Sequence, residues 1–185
     1  MSNAPNNSPL RLRKRHGDGK PVAASAADGQ RLVDAQSLRN AIVAGLITII
    51  LFSIFWVSVT ALWNKHFPWF TLILGIMLGY AVRLTGRGLD WRFPTIAAVL
   101  AMAGSLCSNI VVAASVTADR DGTSTLDILQ SVTVLTWPIF FDEQLSVADA
   151  FYAVVAAALA AFYANRKLTR PQYYALRLWR QERND

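Results

Sequence analysis

Long apolar blocks alternate with short polar segments along this chain, and the blocks determine the predicted architecture. The first block, Ala41–Leu62, contains no charged residue, and as a helix it is long enough to cross a hydrocarbon core of about 30 Å. Three more apolar blocks follow, each bounded by charged or turn-forming residues. The pattern predicts an all-α integral membrane protein with four transmembrane helices, at about residues 40–63, 67–83, 94–116 and 147–164.

The segment before the first block lies outside the predicted transmembrane domain of residues 40–165. Residues 1–39 are rich in proline and polar residues, and they contain too little apolar surface to offset the entropy lost on ordering. Several lysines and arginines make the segment basic. We therefore expect a disordered basic cytoplasmic tail, ending in a short helix around residues 30–39 that leads into the first span.

The segment after the fourth block, residues 166–185, carries apolar residues and arginines at helical spacing. Arg177, Arg180 and Arg183 form a basic stripe along the predicted helix. Such a pattern is typical of an amphipathic helix that lies on a membrane surface or docks on a partner. We expect this helix at about residues 171–183, on the cytoplasmic side.

Two capping boxes mark helix starts between the third and fourth blocks. Ser124 and Asp127 have the spacing at which a serine and an acidic side chain satisfy each other's backbone N–H groups. They predict an amphipathic helix at about residues 124–136, which lies on the outer interface of the bilayer or dips into it. Ser146 and Asp149 repeat this spacing at the start of the last span. We therefore interpret Asp149 as a capping residue and not as part of a proton relay.

Small residues recur at helical spacing in two spans. Gly75 and Gly79 are four residues apart in the second span, so they share a face that another helix backbone can approach closely. This face predicts pairing inside the bundle, with homodimerisation and chance occurrence as alternatives. In the third span, small residues and one amide also recur every fourth position. These helix-packing candidates are Ala97, Ala101, Ser105 and Asn109.

Asn109 is the most polar group deep in any predicted span. A polar side chain at that depth is a candidate functional residue by default. Asparagine is uncharged, however, and its amide bonds readily to a neighbouring helix. We therefore favour a structural hydrogen bond between helices for Asn109.

A short basic turn joins the second and third spans. It carries Arg83, Arg87 and Arg92, which are candidates for contact with lipid headgroups or a partner. Gly86 and Gly88 flank Arg87, and glycine tolerates the positive φ that a tight reversal requires. We expect these two glycines to reverse the chain.

Uneven charge along the chain predicts its orientation. The chain has 18 lysines and arginines against 12 acidic residues, and only Lys65 and Arg120 lie outside the two end segments and the basic turn. Basic loops stay on the cytoplasmic side of a membrane. Four spans place all the basic segments on one side, so we expect both termini to be cytoplasmic. Basic residues flanking apolar blocks favour membrane lipids, and not nucleic acid, as partners.

The basic turn and the helix after it resemble a known group of membrane proteins. The stretch Tyr80-Ala-Val-Arg83-x-x-Gly86-Arg87-Gly88-x-Asp90-x-Arg92-Phe93 is followed by a helix rich in small residues. It resembles uncharacterised small multi-pass bacterial inner-membrane proteins with four helices, over about residues 67–165. The resemblance implies a bacterial inner membrane and no activity.

Chemistry-bearing groups are sparse in the spans, which contain no histidine, no lysine and no pair of carboxylates. An enzyme needs positioned acid–base or nucleophilic groups, so we expect a protein that is not an enzyme, with no cofactor, no metal and no identifiable small-molecule substrate. The packing faces and amphipathic ends favour an accessory or scaffold subunit that contacts other membrane protein subunits or itself. The alternatives are a homo-oligomeric small channel or transporter and a lipid-binding or membrane-shaping protein.

Overall fold

The computed structural model describes residues 24–63, 67–131 and 146–184, and every regular element in these ranges is a helix. We number the helices α1 (Ala26–Asp34), α2 (Leu38–Trp63), α3 (Phe70–Gly86), α4 (Arg92–Asp121), α5 (Thr125–Ser131), α6 (Val147–Ala164) and α7 (Arg170–Asn184). The predicted all-α class is therefore confirmed for the described residues. Helices α2, α4 and α6 are long and apolar enough to cross a membrane, which marks the chain as a membrane protein.

Helix α3 lies at the position of the predicted second span, 67–83, and is an apolar helix of 17 residues. At 1.5 Å per residue such a helix extends about 26 Å, slightly less than the thickness of a bilayer core. It begins at Phe70, after a turn in which the Thr71 hydroxyl donates to the Pro68 carbonyl at 2.9 Å. It ends at Gly86, beyond the predicted boundary.

Helix α4 has 30 residues and exceeds the predicted span of 94–116 at both ends. It begins at Arg92, and Pro94 fits in its first turn because the N–H groups there have no acceptor within the helix. It ends where Gly122 takes the left-handed conformation, with a φ of 64°, and donates its N–H to the Ala118 carbonyl. The acidic residues before Gly122 therefore belong to the last helical turn and not to a loop.

The turn between α3 and α4 reverses at a different residue from the one expected. Arg87 takes the positive φ, at 48°, and neither Gly86 nor Gly88 does so. The two glycines serve close packing instead, because a Cβ added to either would overlap the ring of Phe93. The prediction was wrong because a glycine's position in the sequence does not reveal whether it is needed for its backbone angles or for its small size.

Both predicted capping boxes are present. Before α5, the Asp127 N–H donates to the Ser124 hydroxyl oxygen at 3.2 Å, and the Ser124 N–H donates to the Asp127 carboxylate at 3.4 Å. Before α6, the Asp149 N–H donates to the Ser146 hydroxyl oxygen at 3.3 Å, and the Ser146 hydroxyl donates to the Asp149 carboxylate at 2.6 Å. Helix α5 ends at Ser131, and its expected continuation to residue 136 lies outside the described residues.

The long helices pack into one bundle. Helix α6 lies against α3 and α4, and α2 also lies against α3 and α4. The core between them includes Trp56, Leu74 and Val112, which are all fully buried. The outward face of α2 stays apolar and exposed, as at Ile50 and Ile54. Such a face suits contact with lipid chains.

Residues 26–34 form a helix, whereas we expected a disordered tail with a short helix only at its end, around residues 30–39. Its start is capped, because the Asp28 N–H donates to the Ser25 hydroxyl oxygen at 3.2 Å. Helix α1 packs against α7, and this contact stabilises a segment too short and polar to be helical by itself. The helix expected around residues 30–39 thus ends at Asp34, and α2 begins at Leu38. Residues 1–23 lie outside the described part of the chain.

Candidate functional site at the basic end of the bundle

One end of the bundle gathers the α3–α4 turn and the linkers that precede α2 and follow α6. The N–H of Ser37 donates to the Gly86 carbonyl at 3.0 Å. The N–H of Leu89 donates to the side-chain oxygen of Gln36 at 3.0 Å. We call this region the basic end; it comprises residues 36–39, 86–92 and 166–170. These hydrogen bonds join segments that are about 50 residues apart in sequence, so the basic end is a tertiary feature.

Helices α1 and α7 pack closely against each other, and we call them the terminal helix pair. Gly29 of α1 is buried, and a Cβ added to it would lie 2.8 Å from the Ala175 carbonyl carbon and 2.8 Å from the Trp179 Cβ. Ala175 and Leu176 of α7 are buried in turn. Glycine at this position lets the two helix backbones approach, which a larger residue would prevent.

The first turn of α1 is held by charge as well as by the cap. Hydrogen bonds from the side chain and the backbone of Ser25 lower the pKa of the Asp28 carboxyl below its ordinary value, and the charge of Arg31 lowers it further. The Arg31 guanidinium lies 3.7 Å from the Asp28 carboxylate. Asp28 therefore stays ionised, and its negative charge is favourable near the positive end of the helix dipole.

A cavity of about 400 Å³ lies between the terminal helix pair and the α3–α4 turn. Trp179, Arg180 and Arg183 contribute to its wall from α7, and Asp90 contributes from the turn. The Arg183 guanidinium lies 5.4 Å from the centre of the Trp179 ring, within the range of a cation–π contact. Arg177, the third arginine of the predicted basic stripe, is exposed and does not line this cavity.

The three arginines of the α3–α4 turn occupy different positions. Arg83 lies half-buried in the last turn of α3, and Arg92 is exposed at the start of α4. Arg87 is exposed in the turn itself, where its carbonyl accepts a hydrogen bond from the Arg166 guanidinium at 3.4 Å. Its N–H donates to the Arg83 carbonyl at 3.3 Å. The backbone of Arg87 is therefore held on both sides.

The glycines of the second predicted span face α6. A Cβ added to Gly75 would lie 2.8 Å from the Cα of Ala156. One added to Gly79 would lie 2.7 Å from the carbonyl oxygen of Ala160. Helix α3 thus packs backbone to backbone against α6 through these two positions.

The small-residue stripe of α4 is buried. Ala97, Ala101 and Ser105 are completely inaccessible, and Asn109 is 4% exposed. Among the described residues, neither the Ser105 hydroxyl nor either amide atom of Asn109 has a hydrogen-bond partner. The hydrogen bond between helices that we expected for Asn109 is therefore not present in the described part of the chain.

A neighbouring position makes the bond between helices instead. The hydroxyls of Ser53 on α2 and Ser108 on α4 lie 2.8 Å apart. Ser108 precedes Asn109 by one residue, which turns its side chain by about 100° around the helix. Ser108 therefore faces Ser53 of α2, and Asn109 lies on a different face of α4. Sequence spacing alone does not distinguish these two directions.

Several residues of the basic end escaped the sequence analysis. Gln36, Ser37 and Arg39 were expected in a short helix leading into the first span, without contact to the α3–α4 turn, although the first two hold that turn. A signal was present, because Ser25 and Asp28 have the same spacing as the two recognised capping boxes. A helix starting at Ser25 would have ended just before these residues.

Neither a metal-ligating cluster within the described residues nor a similar known protein assigns a chemical role to the basic end. Among the described residues, no group of three or more histidine, cysteine, aspartate or glutamate side chains could hold a metal ion. Comparisons with known protein families, with curated proteins and with solved structures find no match to this chain.

Proposed function

We propose that this chain is a non-enzymatic accessory or scaffold subunit of a membrane protein complex in a bacterial inner membrane. In this proposal α2, α3, α4 and α6 are four transmembrane spans, and both termini are cytoplasmic. The basic end faces the cytoplasm, as the positive-inside rule requires. The terminal helix pair then lies at the cytoplasmic surface and presents a docking site for a partner subunit.

The cavity between the terminal helix pair and the α3–α4 turn is the observation that carries this proposal. Its wall combines an indole ring with the guanidinium groups of Arg180 and Arg183. Tryptophan, tyrosine and arginine are the residues that most often dominate the binding energy of protein interfaces. Tyr173 and Tyr174 are more than half exposed on the same helix. The composition therefore favours a protein partner at this surface.

Insertion of α3 as a fourth span is supported by its packing and its ends. It runs against α6, which is 18 residues long and therefore similar in length. Arg83 in its last turn can extend its guanidinium to the headgroups. A helix about 4 Å shorter than the bilayer core is accommodated by local thinning of the bilayer.

Co-purification from native membranes in a mild detergent tests the scaffold role. We expect an unrelated membrane protein to co-purify in stoichiometric amounts, identified by mass spectrometry and sized by light scattering. The Arg180→Gln/Arg183→Gln variant should lose this partner because it removes both cavity guanidinium groups. Arg177→Gln is the matched control, since Arg177 lies on the same helix outside the cavity. Recovery of the chain as a monomer would refute the proposal.

A homo-oligomeric small channel or transporter is the second candidate, and the buried polar atoms of α4 favour it. The Ser105 hydroxyl and the Asn109 amide, which have no hydrogen-bond partner among the described residues, are the kind of group that lines a polar pathway between helices. The Gly75–Gly79 face is already occupied by α6, so self-association would use another surface, such as the exposed face of α2. A purified homo-oligomer without other subunits would support this candidate and justify flux measurements in liposomes.

A further inference from the structure

A groove of about 660 Å³ opens between the start of α2 and the end of α3, away from the cavity at the terminal helix pair. Arg39 and Arg87 line it on the side of the linkers. Val43, Ile47 and Leu84 line it on the side of the bundle. Its volume lies within the range of sites that hold small molecules in proteins. One end is thus cationic and the other apolar.

The polar and apolar groups follow one another along α2 at helical spacing. Arg39, Val43 and Ile47 are four residues apart, so they share one face of the helix. At 1.5 Å per residue, Ile47 lies about 12 Å further along the axis than Arg39. Val43 is 48% exposed and Ile47 is 51% exposed. The groove therefore changes from charged to apolar over about the distance that separates a phosphate group from the upper part of its acyl chains in a bilayer.

The charge of the groove is uncompensated within the described residues. No aspartate or glutamate contributes to its lining, and the one ion pair in the described part of the chain joins Arg31 and Asp28, outside the groove. An anion would therefore gain two guanidinium groups without displacing a carboxylate. Charge-assisted hydrogen bonds from arginine to phosphate are among the strongest in proteins.

Arg87 is held in position for such a contact. It is the one residue other than glycine with a positive φ among those described, a conformation that costs free energy and often accompanies a functional role. Hydrogen bonds with Arg83 and Arg166 fix its backbone. The side chain therefore starts from a fixed backbone at the mouth of the groove, which lowers the entropy lost when an anion binds.

We propose that this groove binds an anionic glycerophospholipid, with the phosphate at Arg39 and Arg87 and one acyl chain along Val43 and Ile47. The inference rests on the proposed insertion of α2 and α3 into the bilayer, but it is independent of the scaffold role. Basic pockets between membrane helices on the cytoplasmic side are suited to anionic headgroups. The apolar continuation of the groove favours a lipid over a soluble phosphate.

Native mass spectrometry of the full chain, purified in detergent and incubated with phosphatidylglycerol, tests this site. Phosphatidylcholine and inorganic phosphate serve as competitors. We expect phosphatidylglycerol to be retained in preference to phosphatidylcholine, and Arg39→Gln/Arg87→Gln to reduce its retention about tenfold. Arg83→Gln/Arg92→Gln is the matched control, because it removes the same charge near the same end from residues that do not line the groove. This control should retain the lipid like the unmodified chain.

A third variant tests the apolar half of the groove. Ala44 lines the groove beside Val43, so Ala44→Trp should fill the space for the acyl chain and reduce retention while both arginines remain. Far-UV circular dichroism during heating establishes that each variant is folded. If the arginine variant unfolds, Ala44→Trp and the competitors still decide the question.

Four results would overturn the proposal. Equal retention of phosphatidylglycerol and phosphatidylcholine would exclude recognition of the anionic headgroup. Equal losses in the two arginine double variants would indicate general surface charge. Displacement of the lipid by inorganic phosphate would assign the groove to a soluble anion. Full retention by folded Ala44→Trp would exclude the groove as the place of the acyl chain.

Discussion

At the residue scale, replacing a glycine by a larger residue should affect the bundle differently at Gly75 of α3 and at Gly45 of α2. Gly75 faces backbone atoms of Ala156 on α6. Gly45 on α2 faces the tip of the Leu100 side chain, 2.7 Å from the position of an added Cβ. A side-chain tip can rotate away, whereas a helix backbone moves only with the whole helix. Similar distances therefore predict different responses to substitution.

Gly75→Ala should destabilise the bundle by about 1–3 kcal/mol, the usual range for overpacking a well-packed core. Gly45→Ala should change stability by no more than about 1 kcal/mol, because alanine's higher helix propensity offsets the movement of Leu100. Both variants add one methyl group to a membrane helix. Titration of the purified proteins with dodecyl sulfate, followed by circular dichroism, compares them. Equal destabilisation would show that the backbone contact at Ala156 has no special effect.

Asn109 carries a second prediction at this scale. Leucine has the same branching as asparagine and no polar atoms, so Asn109→Leu removes two buried groups that have no partner among the described residues. Leaving such groups unsatisfied costs about 1–3 kcal/mol, and we expect the variant to be at least as stable as the unmodified chain towards heating in detergent. A clear loss of stability would mean that Asn109 forms hydrogen bonds through water or to residues outside the described ranges.

At the scale of elements, α1 depends on α7 for its helical state. Gly29→Leu should separate the two helices because the longer side chain would meet the Ala175 backbone. Hydrogen exchange followed by mass spectrometry should then show faster exchange in residues 26–34 with the bundle unchanged. Ala27→Leu is the matched control, because Ala27 is exposed on the same helix. Equal exchange in the two variants would contradict docking through Gly29.

Local sequence patterns predict some helix boundaries correctly and miss others. The boxes at Ser124 and Ser146 predicted two helix starts correctly, because capping depends on residues close in sequence. The end of α4 was placed too early, since charged residues after Val116 looked like a loop. Those residues complete a last helical turn that ends at Gly122.

At the scale of the whole molecule, the proposed orientation makes a prediction about access from outside the cell. In a Cys107→Ala background, Thr123→Cys should react with a membrane-impermeant maleimide in intact spheroplasts. Gln181→Cys should react only after lysis, because it lies on the terminal helix pair. Both positions are exposed in the structure, so reactivity reports the side of the membrane. Labelling of Gln181→Cys before lysis would refute a cytoplasmic carboxyl terminus.

The sequence by itself determined the all-α class, the helices long enough for a membrane and the starts of α5 and α6. These features depend on apolar length and on capping groups within a few residues. Tertiary structure decided that α1 is a helix, that Gly75 and Gly79 face α6, and that Arg87 takes the positive φ. Each of these depends on packing against another part of the fold. The lipid groove belongs to the second group, because Arg39 and Arg87 come together only when α2 packs against α3.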